Sequence, residues 1–292
     1  MNYRHAFHAG NFADVLKHAV LVRVLEYMKR KAAPFRVIDT HAGIGRYDLG
    51  SEQAGKTGEW RDGIGRLLGP GARTLSPPTQ ALLKPYLDAV VADNGGVGLA
   101  RYPGSPRLAL RLMRPEDTLV ANELHPEDAA ALKQAIGRDR RARVLTLDAW
   151  VALRAQLPPK ERRGLILIDP PFEQAGEFER IAQALADGLE RFATGIYIVW
   201  YPIKDGRAVE KWQRTLKALK SDKLLAVDIF VRSGRDTDML NGCGLFMVNA
   251  PFTLREELET LLPELVRVLS QEPGASFRLT DVFSGKVLTK RL

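Results

Sequence analysis

An acidic residue and an aromatic ring stand close together at the end of a short apolar run. The run covers residues 165–168 and is typical of a strand buried on both faces of a parallel sheet. Asp169 follows it, then two prolines, then Phe172; because proline fixes φ and donates no hydrogen bond, the chain must leave the sheet in a stiff turn. In open α/β sheets, ligands bind at the carboxyl ends of the strands. We therefore expect the carboxylate of Asp169 and the ring of Phe172 to face a ligand.

Three earlier predicted strands also end in acidic residues. Asp39 is followed by Gly43 and Gly45, and a Gly-x-Gly turn lets the backbone approach a ligand closely because glycine has no Cβ. Glu123 ends the next strand, where its carboxylate can accept hydrogen bonds from the two hydroxyls of a ribose. The alternative is that Glu123 is a surface or helix-capping residue. Asp148 ends the third, where it can accept a hydrogen bond from an adenine amino group. Each signal is weak alone, but the ordered set predicts a nucleoside-binding edge.

The elements that must position these residues form an alternating pattern. Seven predicted strands alternate with helices until a final antiparallel pair. The strands begin near residues 35, 118, 143, 164, 195, 224 and 245. This order predicts an α/β fold of the Rossmann-like class I methyltransferase type, with a seven-stranded, mostly parallel sheet and an antiparallel last strand. A dinucleotide dehydrogenase is less well supported, because the third glycine of its phosphate-binding turn is absent.

One stretch interrupts this alternation. Residues 47–102 are rich in glycine and proline and contain a helical patch near residues 81–91. We expect a small inserted helical subdomain at 47–102. The methyltransferase domain is then predicted to consist of residues 103–292 together with residues 1–46. The latter carry an N-terminal arm and a helix, whose apolar residues keep helical spacing from Phe12 onward and which Asn11 would cap.

Composition points to a polyanionic partner. The 292 residues are 45% hydrophobic, carry a formal charge of +8 and have a pI near 9.6, and a cationic surface gains free energy by releasing counterions from nucleic acid. Cys243 is the single cysteine, which fits a reducing compartment. No apolar run is long enough to span a membrane, so we expect a cytoplasmic protein. Two groups of residues could touch phosphates or merely water, namely Lys56, Trp60, Arg61, Arg66 and Arg73, and Arg207, Lys211, Arg214, Lys217 and Lys220.

The stretch Asp169-Pro170-Pro171-Phe172 resembles the Asp/Asn-Pro-Pro-aromatic motif of enzymes that methylate exocyclic amines. The N6 lone pair of adenine is delocalised into the ring, so it is a poor nucleophile until acceptors hold its N–H groups. The carboxylate of Asp169 and the carbonyl of Pro170 are the proposed acceptors, and Asp169 is also a candidate to receive the released proton. Phe172 would stack on the base once it is flipped out.

Longer motifs make the resemblance specific. They are Tyr3-Arg4-His5-x-Phe7-His8-Ala9-Gly10-Asn11, Asp39-Thr40-His41-Ala42-Gly43-x-Gly45, Tyr102-Pro103-Gly104-Ser105-Pro106 and Glu123-Leu124-His125-Pro126, together with Asp169-Pro170-Pro171. With these motifs the chain is similar to the RlmJ family of bacterial 23S ribosomal RNA adenine-N6 methyltransferases over nearly its whole length. The resemblance implies S-adenosylmethionine as cofactor, contacted by His18, His41, Ser105, Glu123, Asp148, Ala149 and Asp169, and adds Tyr3 as a candidate contact to the base.

The same resemblance implies a partner and leaves some alternatives open. The expected partner is protein-free or early-assembly 23S ribosomal RNA, bound by a monomer without a metal. Phe172 stands where the motif often has Tyr, and Ala149 stands where Gly is expected. Rival hypotheses are a DNA adenine or protein glutamine methyltransferase and an RNA-binding protein with an inactive methyltransferase fold. A zinc site at His5, His8 and His18 is a further alternative, which the absence of a cysteine cluster disfavours.

Overall fold

The structure is a computed structural model that describes residues 4–96, 98–219, 221–234, 236 and 239–291. The chain divides into two compact units, with the division between Leu167 and Ile168. Each unit has its own arrangement of helices and strands.

The N-terminal unit contains seven helices and six strands among its described residues. In chain order they are α1 (Phe12–Lys29), β1 (Arg36–Asp39), β2 (Arg46–Asp48), α2 (Glu52–Thr57), α3 (Gly65–Leu68), α4 (Pro77–Asp93), β3 (Arg101–Pro103), α5 (Ser105–Leu112), β4 (Thr118–Asn122), α6 (Pro126–Ile136), β5 (Ala142–Leu145), α7 (Ala149–Gln156) and β6 (Gly164–Ile168). Short 3-10 helices cover His5–Phe7 and Glu59–Asp62.

Four parallel strands form the sheet of this unit, in the order β6-β1-β4-β5. Asp39 at the end of β1 is in register with Ala121 of β4 and with Leu167 of β6, so the carboxyl ends of these strands are level. All five residues of β6 are buried, as the apolar run predicted. β2 and β3 pair as a separate antiparallel ribbon, which the sequence did not predict.

Helix α1 lies in the interior of the unit. Its predicted start is confirmed: the side chain of Asn11 accepts hydrogen bonds from the backbone N–H groups of Ala13 and Asp14, at 2.9 and 3.0 Å. Fourteen of its eighteen residues are buried, so the helix is covered on almost every side, and it packs against α5 and α4. This burial explains how His18, near its middle, comes to lie inside the protein.

The C-terminal unit contains α8 (Glu177–Arg191), β7 (Ile196–Ile203), α9 (Gly206–Thr215), β8 (Leu224–Phe230), β9 (Gly242–Val248), α10 (Leu254–Leu269), β10 (Ser276–Asp281) and β11 (Val287–Arg291). A 3-10 turn at Leu216–Ala218 follows α9. Its strands are antiparallel in the order β7-β9-β8-β10-β11.

The predicted fold class is confirmed, but the strand count is not. The chain has a parallel β/α portion followed by antiparallel C-terminal strands, and the predicted antiparallel pair is β8 with β9. Four parallel and five antiparallel strands replace the predicted seven. The extra strands, β10 and β11, were missed. β11 is exposed along its length and has no apolar periodicity, and in β10 only Phe277 and Leu279 are buried, which is too short an alternation to indicate a strand. The proposed inserted subdomain at 47–102 stays a prediction. Among the described residues, no helix is both long and apolar enough to span a bilayer.

Candidate active site

A buried asparagine ties together the ends of three parallel strands. Asn122, at the end of β4, donates to the carbonyl of Thr40 at 3.1 Å and to that of Leu147 at 2.9 Å, and it accepts from the N–H of Leu147 at 3.1 Å. Thr40 follows β1 and Leu147 follows β5, so one side chain fixes the three exits from the sheet. Asn122 was not predicted from the sequence; the available signal was a polar residue at the end of an otherwise apolar strand.

Asp39 and Ser105 are in direct contact. Asp39 is buried, and its Oδ2 accepts a hydrogen bond from the Ser105 hydroxyl at 2.6 Å. Its Oδ1 accepts from the N–H of His41 at 3.3 Å. Ser105 is the first residue of α5, so this bond joins β1 to the start of that helix.

Glu123 is hydrogen-bonded to the glycine turn that follows β1. Its Oε2 accepts from the N–H of Gly43 and its Oε1 from the N–H of His125, both at 2.9 Å. Burial raises the pKa of this carboxyl above its usual range, although the two N–H groups favour the charged form. Gly43 and Gly45 have φ of +59° and +76°, and a Cβ on Gly43 would lie 2.2 Å from the Tyr47 hydroxyl. The turn therefore requires glycine at Gly43, both for its φ and for space.

Asp148 caps helix α7 as well as ending the segment after β5. Its Oδ1 accepts from the N–H groups of Trp150 and Val151, at 3.0 and 3.1 Å, and Ala149 is the buried first residue of the helix. The Trp150 ring meets the His41 ring edge-on, with centroids 5.9 Å apart. The contact joins the segments that follow β1 and β5, although β4 lies between these two strands in the sheet. Trp150 is a second aromatic group that was not predicted from the sequence.

Exposed apolar side chains adjoin these acidic residues. Leu124 follows Glu123 and is 46% exposed, Leu147 precedes Asp148 and is 40% exposed, and Val151 on α7 is 57% exposed. Exposed aliphatic groups beside polar ones suit a flat aromatic ligand, which needs apolar contact on its faces and hydrogen bonds at its edge. The signal available in the sequence was an aliphatic residue next to each strand-end carboxylate.

His18 is buried and has one unused nitrogen. Its Nδ1 forms a hydrogen bond of 2.6 Å with the Tyr102 hydroxyl, which in turn bonds to the Tyr86 hydroxyl at 2.8 Å. Its Nε2 is buried and has no hydrogen-bond partner among the described residues. Burial lowers the pKa of His18 to about 3, so the imidazole is neutral at physiological pH. A neutral ring with an unpartnered buried nitrogen fits a ligand contact.

The other N-terminal histidines are engaged with carboxylates. His5 Nε2 lies 2.9 Å from Asp14, and His8 Nδ1 lies 2.9 Å from Glu59. Within the part of the chain that the structure describes, no three His, Cys, Asp or Glu side chains are grouped so as to hold a metal ion. Arg4 forms ion pairs with Glu127 and Asp128, at 2.9 and 2.5 Å. Tyr3, the predicted contact to the base, lies outside the described residues.

The Asp-Pro-Pro-Phe segment opens the C-terminal unit directly after β6. Asp169 is half-buried, Pro170 is buried and Phe172 is half-buried. Phe172 has a φ of +53°, in the left-handed region that costs a bulky residue roughly 1 kcal/mol or more. Its ring meets Phe178 and Trp200 edge-on, with centroids 5.1 and 5.9 Å apart. These contacts hold Phe172 in a strained backbone conformation, which is common at functional sites.

Trp200 is a further aromatic residue that sequence reasoning missed. It lies in β7, the strand that follows the Asp-Pro-Pro-Phe segment along the chain. Its indole Nε1 is buried and donates to no described residue. The signal that could have found it was an indole near the carboxyl end of an apolar strand.

Comparisons with known proteins agree over most of the chain. A family model described as "Ribosomal RNA large subunit methyltransferase D, RlmJ" matches residues 32–280. An Escherichia coli protein named ribosomal RNA large subunit methyltransferase J is 41% identical over 265 residues, which cover 91% of this chain and 92% of that protein. The Haemophilus influenzae protein of the same name is 38% identical over 278 residues, covering 95% and 97%. The crystal structure of a Legionella pneumophila protein of family DUF519 is 32% identical, covers 93% of this chain and 97% of that chain, and has a TM-score of 0.84.

Proposed function

The chain belongs to the RlmJ family of ribosomal RNA methyltransferases, and from that premise we propose that it transfers a methyl group to the N6 amine of a specific adenine in 23S ribosomal RNA. The observation that supports a catalytic role for Asp169 is its position in the chain. It follows β6, and β6 pairs with β1 in the parallel sheet whose strand ends carry Glu123 and the Gly43 turn. This is the place at which α/β sheets bind ligands.

Family and fold imply S-adenosylmethionine as the methyl donor, and the N-terminal unit has groups that fit it. The unpartnered Nε2 of His18 and the Gly43 turn closed by Glu123 are the structural features that meet this requirement. When bound, the cofactor supplies an electrophilic methyl group on a positively charged sulfur. We propose that the cofactor contacts are His18, His41, Gly43, Gly45, Ser105, Glu123, Asp148, Ala149 and Asp169.

Each proposed contact has a chemical reason. Glu123 would accept the ribose hydroxyls, since a carboxylate can accept more hydrogen bonds than the two N–H groups that hold it. Asp148 would accept from the adenine amino group through the oxygen that does not cap α7. The Ser105 hydroxyl donates to Asp39 and keeps its lone pairs for a donor on the cofactor. Leu124 and Leu147 would contact the faces of the adenine ring.

Asp169 would prepare the target amine. Its carboxylate and the Pro170 carbonyl would accept hydrogen bonds from the two N–H groups of adenine N6, which favours a pyramidal nitrogen with a free lone pair. As the methyl group is transferred, Asp169 would receive the proton that the amine releases. Pro170 and Pro171 stiffen the backbone between the acceptors, which matters because small misplacement of reacting groups reduces the rate.

Phe172 would hold the target base once it leaves the RNA stack. Stacking of a base on an aromatic ring contributes about 1–3 kcal/mol. Phe178 and Trp200 fix the ring of Phe172 from two sides, so little side-chain entropy remains to be lost on binding. Phenylalanine provides this face without the hydroxyl of the tyrosine that the motif often has.

The test measures transfer of labelled methyl from S-adenosylmethionine to protein-free large-subunit RNA. Asp169→Ala is expected to lower kcat at least about 1,000-fold, because it removes both an acceptor and the proton acceptor. Asp169→Asn keeps an acceptor oxygen and is expected to retain more activity than Asp169→Ala. Asp222→Ala, an exposed residue of the same unit, is the matched control and should behave as wild type.

Each result bears on one part of the proposal. An unchanged melting temperature and far-UV circular dichroism spectrum for Asp169→Ala would show that the fold survives. Wild-type activity in Asp169→Ala would contradict the role of Asp169. Label in DNA or in glutamine side chains, but not in RNA, would replace the proposed substrate with one of its rivals. Thermal stabilisation by NAD but not by S-adenosylhomocysteine would contradict the cofactor.

A further inference from the structure

The amino ends of the four parallel strands share one edge of the N-terminal unit. Arg36 at the start of β1 is in register with Thr118 of β4 and Gly164 of β6, and Leu119 of β4 is in register with Ala142 of β5. The segments that enter these strands, residues 29–35, 111–117, 138–141 and 160–163, therefore lie together. This edge is opposite the one that carries Glu123 and Asp148.

Charge is distributed very unequally between the two edges. The four entering segments contain eleven Lys and Arg residues and four Asp and Glu residues, so they hold most of the net positive charge of the chain. The segments that leave β1, β4 and β5, residues 40–46, 123–128 and 146–149, contain one arginine and four acidic residues. The segments at the carboxyl edge carry net negative charge and offer a polyanion little electrostatic attraction, whereas the segments at the amino edge can attract one.

Six exposed cations on the entering segments make no ion pair with any described residue. They form what we call the amino-edge patch: Lys31, Arg111, Arg138, Arg140, Lys160 and Arg162. Their neighbours differ from them. Arg141 is paired with Asp139, and Arg114 is paired with Asp117, at 2.6 and 2.9 Å. The unpaired cations are thus available to an external anion.

The patch is held in place by arginines that bind backbone carbonyls. Arg141 donates to the carbonyls of Leu110 and Met113, both at 2.8 Å, which fixes the segment of Arg138 and Arg140 against that of Arg111. Arg114 donates to the carbonyl of Lys31 at 2.9 Å, which fixes a third segment. A patch assembled before binding loses less conformational entropy when it meets its ligand.

We propose that the amino-edge patch binds the phosphate backbone of the RNA substrate, at a distance from the base that is methylated. The inference rests on the proposed function for the identity of the RNA. A five-residue strand separates the two edges by about 15 Å, so the RNA must be long enough to reach both. Guanidinium groups suit phosphates because they donate two parallel hydrogen bonds. The patch would supply affinity and orientation, whereas the base is chosen at the other edge.

The experiment compares two variants with equal loss of charge. Arg111→Gln/Arg138→Gln/Arg140→Gln removes three cations of the patch, and Lys286→Gln/Lys290→Gln/Arg291→Gln removes three exposed cations near the C-terminus. Binding of a protein-free 23S RNA fragment is measured at several KCl concentrations. In the patch variant, the slope of log affinity against log salt should fall in magnitude by about 2 to 3, and Kd should rise about tenfold or more. The C-terminal variant should stay close to wild type.

Kinetics separate binding from chemistry. For the long RNA fragment, the patch variant should have a KM raised about tenfold with kcat unchanged. For a short hairpin around the target adenine, its KM should equal that of wild type. Binding of S-adenosylhomocysteine and the melting temperature should also be unchanged.

Three outcomes would overturn the proposal. These are a wild-type salt slope in the patch variant, equal losses of affinity in both variants, and a raised KM for the short hairpin. The proposed function can fail separately. A wild-type protein that transfers no methyl to RNA, but whose patch variant loses salt-dependent RNA affinity, would contradict the function and support the patch.

Discussion

His18, a proposed cofactor contact, also limits the stability of the protein at low pH. Its imidazole is neutral in the folded protein because burial lowers its pKa to about 3, whereas a solvated histidine has a value of 6.5. Between these values the unfolded state binds a proton that the folded state does not. The free energy of unfolding therefore falls as the pH falls, by about 1.4 kcal/mol per pH unit from this residue.

We expect His18→Asn to remove this pH-dependent contribution to the free energy of unfolding. Asparagine can still bond to the Tyr102 hydroxyl, so the variant should fold. Urea unfolding at pH 6.5, 5.5 and 4.5 should show a steeper loss of stability in wild type than in the variant. Asp14 is buried, but His5 and Lys17 hold the pKa of its carboxyl well below its usual range. Its contribution to the free energy of unfolding is therefore lost only below about pH 4. Parallel stability curves from pH 6.5 to 4.5 would contradict the account.

At the scale of elements, the turn after β1 shapes the sheet edge at which we propose that the cofactor binds. Gly43→Ala should weaken binding of S-adenosylhomocysteine about tenfold or more, because its Cβ would lie 2.2 Å from the hydroxyl of the buried Tyr47. Gly137→Ala is the matched control: its φ is +66°, similar to the +59° of Gly43, but its Cβ would have no neighbour within 4 Å.

Calorimetric titration and thermal unfolding distinguish the steric effect of the added Cβ from the strain of the positive φ. Gly137→Ala should lower the free energy of unfolding by about 1–3 kcal/mol through backbone strain alone, with the affinity for S-adenosylhomocysteine unchanged. If Gly43→Ala bound the ligand as tightly as wild type, the turn would not be part of the site.

The sequence predicted those elements whose signals are local. Helix α1 was predicted from its apolar spacing and the cap at Asn11, and β6 from an apolar run that ends in Asp169 and two prolines. The edge strand β11 was missed because all its residues are exposed and show no apolar alternation.

Within the candidate site, the residue types could be predicted but their partners could not. The strand-end acids stood out because each follows an apolar run. The hydrogen bonds from Ser105 to Asp39 and from Gly43 to Glu123 join residues 66 and 80 positions apart. Asn122 and Trp200 were missed for the same reason, since an amide or an indole inside an apolar strand has no meaning until its neighbours are known.

At the scale of the whole molecule, most of the net charge of +8 lies on the segments that enter the parallel strands of the N-terminal unit. Acidic strand ends suit a cofactor that carries ribose hydroxyls and an amino group, but they do not attract RNA. Cations on the opposite edge of the N-terminal unit can attract RNA without disturbing that chemistry. Under the two proposals, this separation would let one protein bind a polyanion and keep carboxylates at the edge where the methyl group is transferred.

The most direct test of the central claim identifies the methylated product. Protein-free 23S ribosomal RNA is incubated with S-adenosylmethionine and wild-type protein or Asp169→Ala, digested to nucleosides and analysed by mass spectrometry. We predict N6-methyladenosine at about one residue per RNA molecule with wild type, and none above background with Asp169→Ala. A methyl group on any other nucleoside, or N6-methyladenosine formed equally well by Asp169→Ala, would contradict the account.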